Sequence, residues 1–92
     1  MRYEIVTTHR FEKEFKRCRK RGYPMDALRV VLNLLAENGS LHASYRPHKL
    51  SGFPNKNIWE CHIESDWLLV WEQDNNQKIM LLLDTGTHSD IF

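Results

Sequence analysis

The sequence predicts an α+β domain with one strand, two helices and then three or four strands, both helices lying on one face of the sheet. Two observations predict it. Apolar residues recur at helical spacing between residues 9 and 38, and apolar and polar residues alternate after Ser44. No linker, internal repeat or low-complexity stretch divides the chain, so residues 1–92 are expected to form a single domain.

Residues 2–7 alternate and carry β-branched and aromatic side chains, which predicts a strand. Thr7 and Thr8 offer hydroxyls to cap a helix beginning near residue 9. Phe11, Phe15 and Cys18 then share one helical face, and Gly22 supplies the left-handed stop. Pro24 suits the start of a second helix, Leu28, Val31, Leu32 and Leu35 give its apolar stripe, and Asn38-Gly39 closes it. The short connection predicts an antiparallel helical hairpin.

Residues 45–50 read as a short strand or extended segment interrupted by Pro47, and residues 51–55 as a loop. Residues 57–64 alternate, with Trp59, Cys61 and Ile63 to one side and Glu60, His62 and Glu64 to the other. Ser65-Asp66 is a turn. Residues 67–73 form the next strand, with Trp67, Leu69 and Trp71 on one side, and residues 74–77 a second turn. Residues 78–84 are almost wholly apolar, as in a strand covered on both faces. The tail from Thr85 begins as a loop and ends in a helical turn. Trp59 and Trp71 are assigned to the core beneath the helices.

Composition narrows the function classes. The longest apolar run, Ile79 to Leu83, is too short to cross a membrane, and the start of the chain has no apolar leader, so a cytoplasmic protein is expected. Cys18 and Cys61 form no CxxC pair and read as reduced thiols filling core space. The formal net charge is only +1, but Arg10, Lys13, Lys16, Arg17, Arg19, Lys20 and Arg21 crowd one helix. Uneven charge of this kind makes a basic face on a nearly neutral molecule. It reads as a solvated face or as a surface that meets RNA phosphates.

Three of the five histidines stand out. His48 follows Pro47, His62 lies on the polar side of an alternating strand, and His88 follows the last strand. Asp66 sits in the turn just after the strand of His62. Antiparallel pairing would gather these four side chains at one end or face of the sheet. Such a group suits RNA cleavage: a base takes the proton of a ribose 2′-OH, an acid protonates the departing 5′-oxygen, and a cation steadies the phosphate. Histidine serves either proton-transfer role near neutral pH. Arg46, Lys49 and Lys56 are nearby candidates for phosphate contact. A metal site is a competing use of the same residues, but their wide separation gives no ligand motif, and neither metal nor other cofactor is expected.

The C-terminal half resembles the YafQ branch of the RelE/ParE toxin superfamily. The resemblance is carried by Pro47-His48-Lys49-Leu50-Ser51-Gly52, by residues 59–71 with His62, Glu64, Asp66 and Trp67, and by Thr85-Gly86-Thr87-His88 through Phe92. It implies a RelE-like fold with the helix pair on a twisted, mostly antiparallel sheet of four to five strands. It implies a type II toxin that cuts mRNA in the ribosomal A site, leaving a 2′,3′-cyclic phosphate or 3′-phosphate and a 5′-hydroxyl. It further implies a cognate antitoxin similar to DinJ or RelB, in a heterotetramer that meets operator DNA only through the antitoxin. His48, His62, Asp66 and His88 match the family's catalytic positions, with His48 and His62 on the base side, His88 as acid, and Asp66 orienting or sharing a proton. Trp67 and Phe92 match positions linked to substrate contact. Asp84 departs from the pattern, which has an arginine there that the resemblance links to phosphate contact; either Arg46 or a cation from a helix takes that role, or the phosphate is held differently, or activity is reduced.

Two other classes compete with the enzyme. One is a binding module of the same fold without nuclease activity, similar to ParE-like gyrase inhibitors, which Asp84 and the low net charge favour. The other is an inert homologue.

Overall fold

A computed structural model describes residues 2–92. The order is β1 (Glu4–Thr7), α1 (His9–Lys20), α2 (Met25–Asn38), a 3-10 turn (Ala43–Tyr45), β2 (His48–Lys49), β3 (Ile58–Glu64), β4 (Trp67–Asp74), β5 (Ile79–Gly86) and a short C-terminal helix α3 (His88–Ile91). The strands form one sheet in the order β1-β5-β4-β3-β2. All neighbours are antiparallel except β1 and β5, which run parallel.

Both main helices start and stop as the sequence predicts. The Thr8 hydroxyl accepts from the Phe11 amide at 3.1 Å and caps α1. Gly39 ends α2 at φ 68°. A side chain at Gly39 would also collide with Tyr3, whose ring atoms lie within 2.9 Å of where a Cβ would stand.

One face of the sheet carries the core. Phe11 and Cys18 from α1 and Leu28, Val31 and Leu35 from α2 pack on Cys61, Ile63, Trp67, Leu69, Trp71, Met80 and Leu82. Trp59 stacks against Trp71 with ring centroids 6.4 Å apart. Cys18 and Cys61 are both free and buried, and burial pushes the Cys61 thiol up to about 12. They fill space as neutral thiols. Gln73, buried among these groups, donates to the Gly39 carbonyl at 3.0 Å and accepts from the Trp71 indole at 3.1 Å. That polar bridge ties the end of α2 to β4 without leaving a buried donor unmet.

Two segments depart from the sequence expectation. Of residues 45–50 only His48 and Lys49 pair as a strand, because Arg46 takes a left-handed turn at φ 51° and Pro47 has no N–H to donate. The last strand runs through Gly86 rather than ending before Thr85. Its register slips between Val70 and Trp71 of β4, where Leu83 is the extra residue. The slip turns Asp84 to the face opposite Leu82. Among the described residues no helix is long and apolar enough to cross a membrane.

Candidate active site on the open face of the sheet

Alternation along β3 sends Cys61 and Ile63 under the helices and Glu60 and His62 to the open face. Antiparallel register sets His48 of β2 opposite Glu60, and the two side chains meet with His48 Nε2 3.3 Å from Glu60 Oε1. The β3–β4 turn places Asp66 beside the start of α3. There its Oδ1 accepts from the His88 amide at 3.2 Å and lies 3.1 Å from His88 Nδ1. The His62 and His88 rings are 5.8 Å apart between centroids, and Phe92 covers the outer side of His88 at 6.3 Å. The structure therefore brings together all four predicted catalytic side chains and adds Phe92.

The hydrogen-bond partners assign the tautomers of two of the three rings. Hydrogen bonds to His88, led by the one to its side chain, hold the Asp66 carboxyl below the usual carboxylate range. An ionised carboxylate only accepts, so His88 Nδ1 carries the proton and Nε2 is left for the cleft. The same reasoning applies to His62, whose Nδ1 faces the Ser65 carbonyl at 3.1 Å, whereas His48 lies between two acceptors, its Nδ1 3.3 Å from the Arg46 carbonyl and its Nε2 3.3 Å from Glu60 Oε1.

Glu60 is a residue to which the sequence assigned no role beyond the polar side of the strand that it shares with His62. It is only 4% exposed, and its Oε2 is buried without a hydrogen-bond partner among the described residues. A carboxylate oxygen left unpaired at the centre of a histidine cluster is costly unless a ligand uses it. The signal was present in the alternation that put Glu60 and His62 on one strand face. Glu60, His62 and His88 also bring ligating atoms within 4.8 Å of one another, a donor set that fits a divalent cation.

The expected substrate contacts divide. Phe92 is 70% exposed beside His88, and Arg46 stands exposed just before β2. Lys49 pairs with Trp59, so the strand period turns it to the face away from His48. Lys56 is exposed in the loop leading into β3, at the opposite end of that strand from Asp66. Trp67 is 2% exposed, packs edge-on against Tyr23 and donates from Nε1 to Thr85 Oγ1 at 2.9 Å. Trp67 is thus a core residue under the helices rather than a base-stacking platform, because its position on β4 shares the pleat of Leu69 and Trp71.

Two polar arrangements border the cleft. The Asp90 carboxylate accepts from the Thr87 amide at 2.9 Å and from Arg21 at 2.7 and 3.3 Å, which pins α3 to the end of α1. Gly86, at φ 148°, leaves room for it: a Cβ there would fall 2.8 Å from Asp90 Oδ2. Arg10 Nε donates to Asp84 Oδ2 at 2.9 Å.

The family model for the bacterial toxin of the type II toxin-antitoxin system, YafQ, matches residues 3–92. The chain belongs to the YafQ toxin family. Solved structures agree with that membership. The YafQ family member in the E. coli DinJ-YafQ toxin-antitoxin complex is 29% identical over 100% of this chain and 99% of that one, with a TM-score of 0.88. A metal-bound toxin from Helicobacter pylori is 32% identical over 98% and 99% of the two chains, with a TM-score of 0.88. An archaeal RelE-RelB complex from Pyrococcus horikoshii OT3 aligns at 14% identity with a TM-score of 0.75, which shows that the YafQ fold here is the RelE fold. No curated protein sequence matches the chain.

Proposed function

We propose that this YafQ-family toxin is a ribosome-dependent mRNA endoribonuclease that works by acid–base catalysis without a metal. The observation that carries the proposal is the meeting of His48, Glu60, His62, Asp66 and His88 on the uncovered face of the sheet. There the Nε2 atoms of His62 and His88 are left free to exchange protons, and that of His48 faces the Glu60 carboxyl.

The 2′-OH proton passes to the base side, formed by His62 Nε2 and the His48–Glu60 pair. The 2′-oxygen then bonds to phosphorus as the bond from phosphorus to the 5′-oxygen breaks. Protonated His88 delivers its Nε2 proton to that 5′-oxygen, while Asp66 holds the ring by Nδ1 and balances its charge. The products are a 2′,3′-cyclic phosphate and a 5′-hydroxyl. Groups of this kind contribute about 10²–10⁴-fold each. Phe92 offers a face for a base next to His88, as aromatic side chains do in single-stranded RNA recognition. Arg46 offers a cation at the His62 end of the cleft, and the basic face of α1 a surface for ribosomal RNA.

Glu60, His62 and His88 are the residues that would hold a divalent cation, which when bound supplies positive charge and takes the imidazole lone pairs. Proton transfer by those rings needs the lone pairs free. The partner in this reading is an antitoxin of the DinJ or RelB kind, assembled with the toxin as a heterotetramer. Primer extension on a translated mRNA with wild type and His88→Ala tests the proposal. Discrete A-site cleavage by wild type, lost in the variant, is expected. Intact mRNA with inhibited DNA supercoiling would instead favour a gyrase-directed toxin.

A further inference from the structure

The geometry points to Arg10, on the first turn of α1, as a phosphate-binding residue of the cleft, with Asp84 as the group that positions it. This rests on the nuclease reading above and names a substrate contact that the strand residues do not supply.

Asp84 pairs with Val70, Val70 with Glu60, and Glu60 with His48, so Asp84, Val70, Glu60 and His48 form one row across the open face. Neighbouring strands are about 4.8 Å apart, which puts Asp84 roughly 10 Å from Glu60 along that row. The row therefore carries two carboxylates, Asp84 and Glu60. A phosphodiester laid across it would be repelled unless a positive charge stood in the row.

Arg10 is that charge. β1 ends at Thr7, opposite Leu82, so among the described residues no strand covers the outer edge of β5 beyond that point. Arg10 crosses this open edge and reaches Asp84, whose side chain is 10% exposed against 64% for Arg10. It spends only Nε on the carboxylate, at 2.9 Å. Neither Nη atom has a protein partner among the described residues, although an ion pair serving neutralisation alone is met as well by the bidentate fork. Asp84 also accepts from the Thr85 amide at 2.9 Å, which fixes the carboxylate and so the guanidinium. The result is a planar donor held at the rim with its outer edge turned to solvent, a shape that suits phosphate.

The test is binding of a short single-stranded RNA with 2′-O-methyl riboses, which cannot be cut, followed by fluorescence anisotropy across a salt series. Cleavage of the unmodified RNA on translating ribosomes is measured alongside. Arg10→Ala is expected to weaken binding about 10- to 100-fold, and to make the log–log salt slope shallower by about 0.7. Arg10→Ala/Asp84→Asn keeps the net charge and leaves no buried unpaired carboxylate, so it folds even where the single variant does not; it too binds weakly. Arg10→Ala/Asp84→Arg moves the cation onto the strand and recovers most of the loss. Wild-type affinity in both Arg10→Ala and Arg10→Ala/Asp84→Asn overturns the assignment while leaving the nuclease reading intact. Wild type that binds the RNA without cutting the unmodified strand on ribosomes overturns the nuclease reading alone, wild type that neither binds nor cuts overturns both, and ribosomal cleavage that is equally fast in wild type, Arg10→Ala and Arg10→Ala/Asp84→Asn overturns the assignment of Arg10 alone.

Discussion

Replacing Asp90 with alanine releases the C-terminal helix that carries His88 and Phe92. Asp90 does two jobs at once. Its carboxylate caps the Thr87 amide in a capping box, and it takes the guanidinium of Arg21 through two oxygens. Loss of a cap costs about 0.5–2 kcal/mol, and the solvent-screened ion pair with Arg21 adds little to it. The expected loss is therefore about 0.5–2 kcal/mol, or roughly 2–15 °C in the melting temperature of a domain this small. Asp90→Asn keeps an oxygen for the cap and loses only the charge, so it should fall between wild type and Asp90→Ala.

The pH dependence has a fixed sign. Arg21 first, and then the Thr87 amide, hold the Asp90 carboxyl well below the usual carboxylate range. A depressed folded-state pKa stabilises above the unfolded value, near 3.8 for aspartate, and the stabilisation is lost as pH falls below it. The gap between wild type and Asp90→Ala is thus full at pH 7 and narrows progressively below about pH 4. Thermal melts followed by circular dichroism across that range are the assay. Equal melting temperatures at pH 7, or a gap that widens in acid, would rule out this role for Asp90.

Three further outcomes are expected of the site. Glu60→Gln, close in shape but without the carboxylate that faces His48, should lower cleavage by about 10²–10⁴-fold with little change in melting temperature, checked by single-turnover kinetics. Added Zn²⁺ should suppress cleavage by occupying Glu60, His62 and His88, with activity restored by chelator and the inhibition weakened in Glu60→Gln. Trp67→Phe should cost about 1–2 kcal/mol in urea unfolding, through the lost hydrogen bond to Thr85 and poorer filling of the core, yet leave RNA affinity unchanged. Weakened RNA binding by a well-folded Trp67→Phe would restore the indole to the substrate side.

Much of this molecule is legible in its residues because the signals are local and periodic. Phe11, Phe15 and Cys18, and then Leu28, Val31 and Leu35, mark the buried faces of the helices, and Gly39 marks a stop that only a left-handed backbone provides. The alternation through Cys61 and His62 separates core from open face, and antiparallel pairing with the β3–β4 turn then gathers His48, His62, Asp66 and His88. What was hidden depended on pairing. No local pattern shows that β1 runs parallel to β5. A one-residue register slip turns Asp84 to the open face, where a departure from the family's arginine becomes a seat for Arg10, residues distant in sequence. Lys49 looked available because its neighbour His48 was, but the period of two sends adjacent residues to opposite faces. Glu60 was hidden by its type: an acidic residue on a polar strand face reads as solubilising until its partner across the sheet is known.

The chemistry of the cut bears most directly on the proposed mechanism. Wild-type toxin should cleave a ribosome-bound mRNA in excess EDTA, leave a 2′,3′-cyclic phosphate and a 5′-hydroxyl, and spare a message whose scissile nucleotide lacks its 2′-OH. Cleavage that requires an added divalent metal, or that cuts the 2′-deoxy message as readily as the natural one, would contradict it.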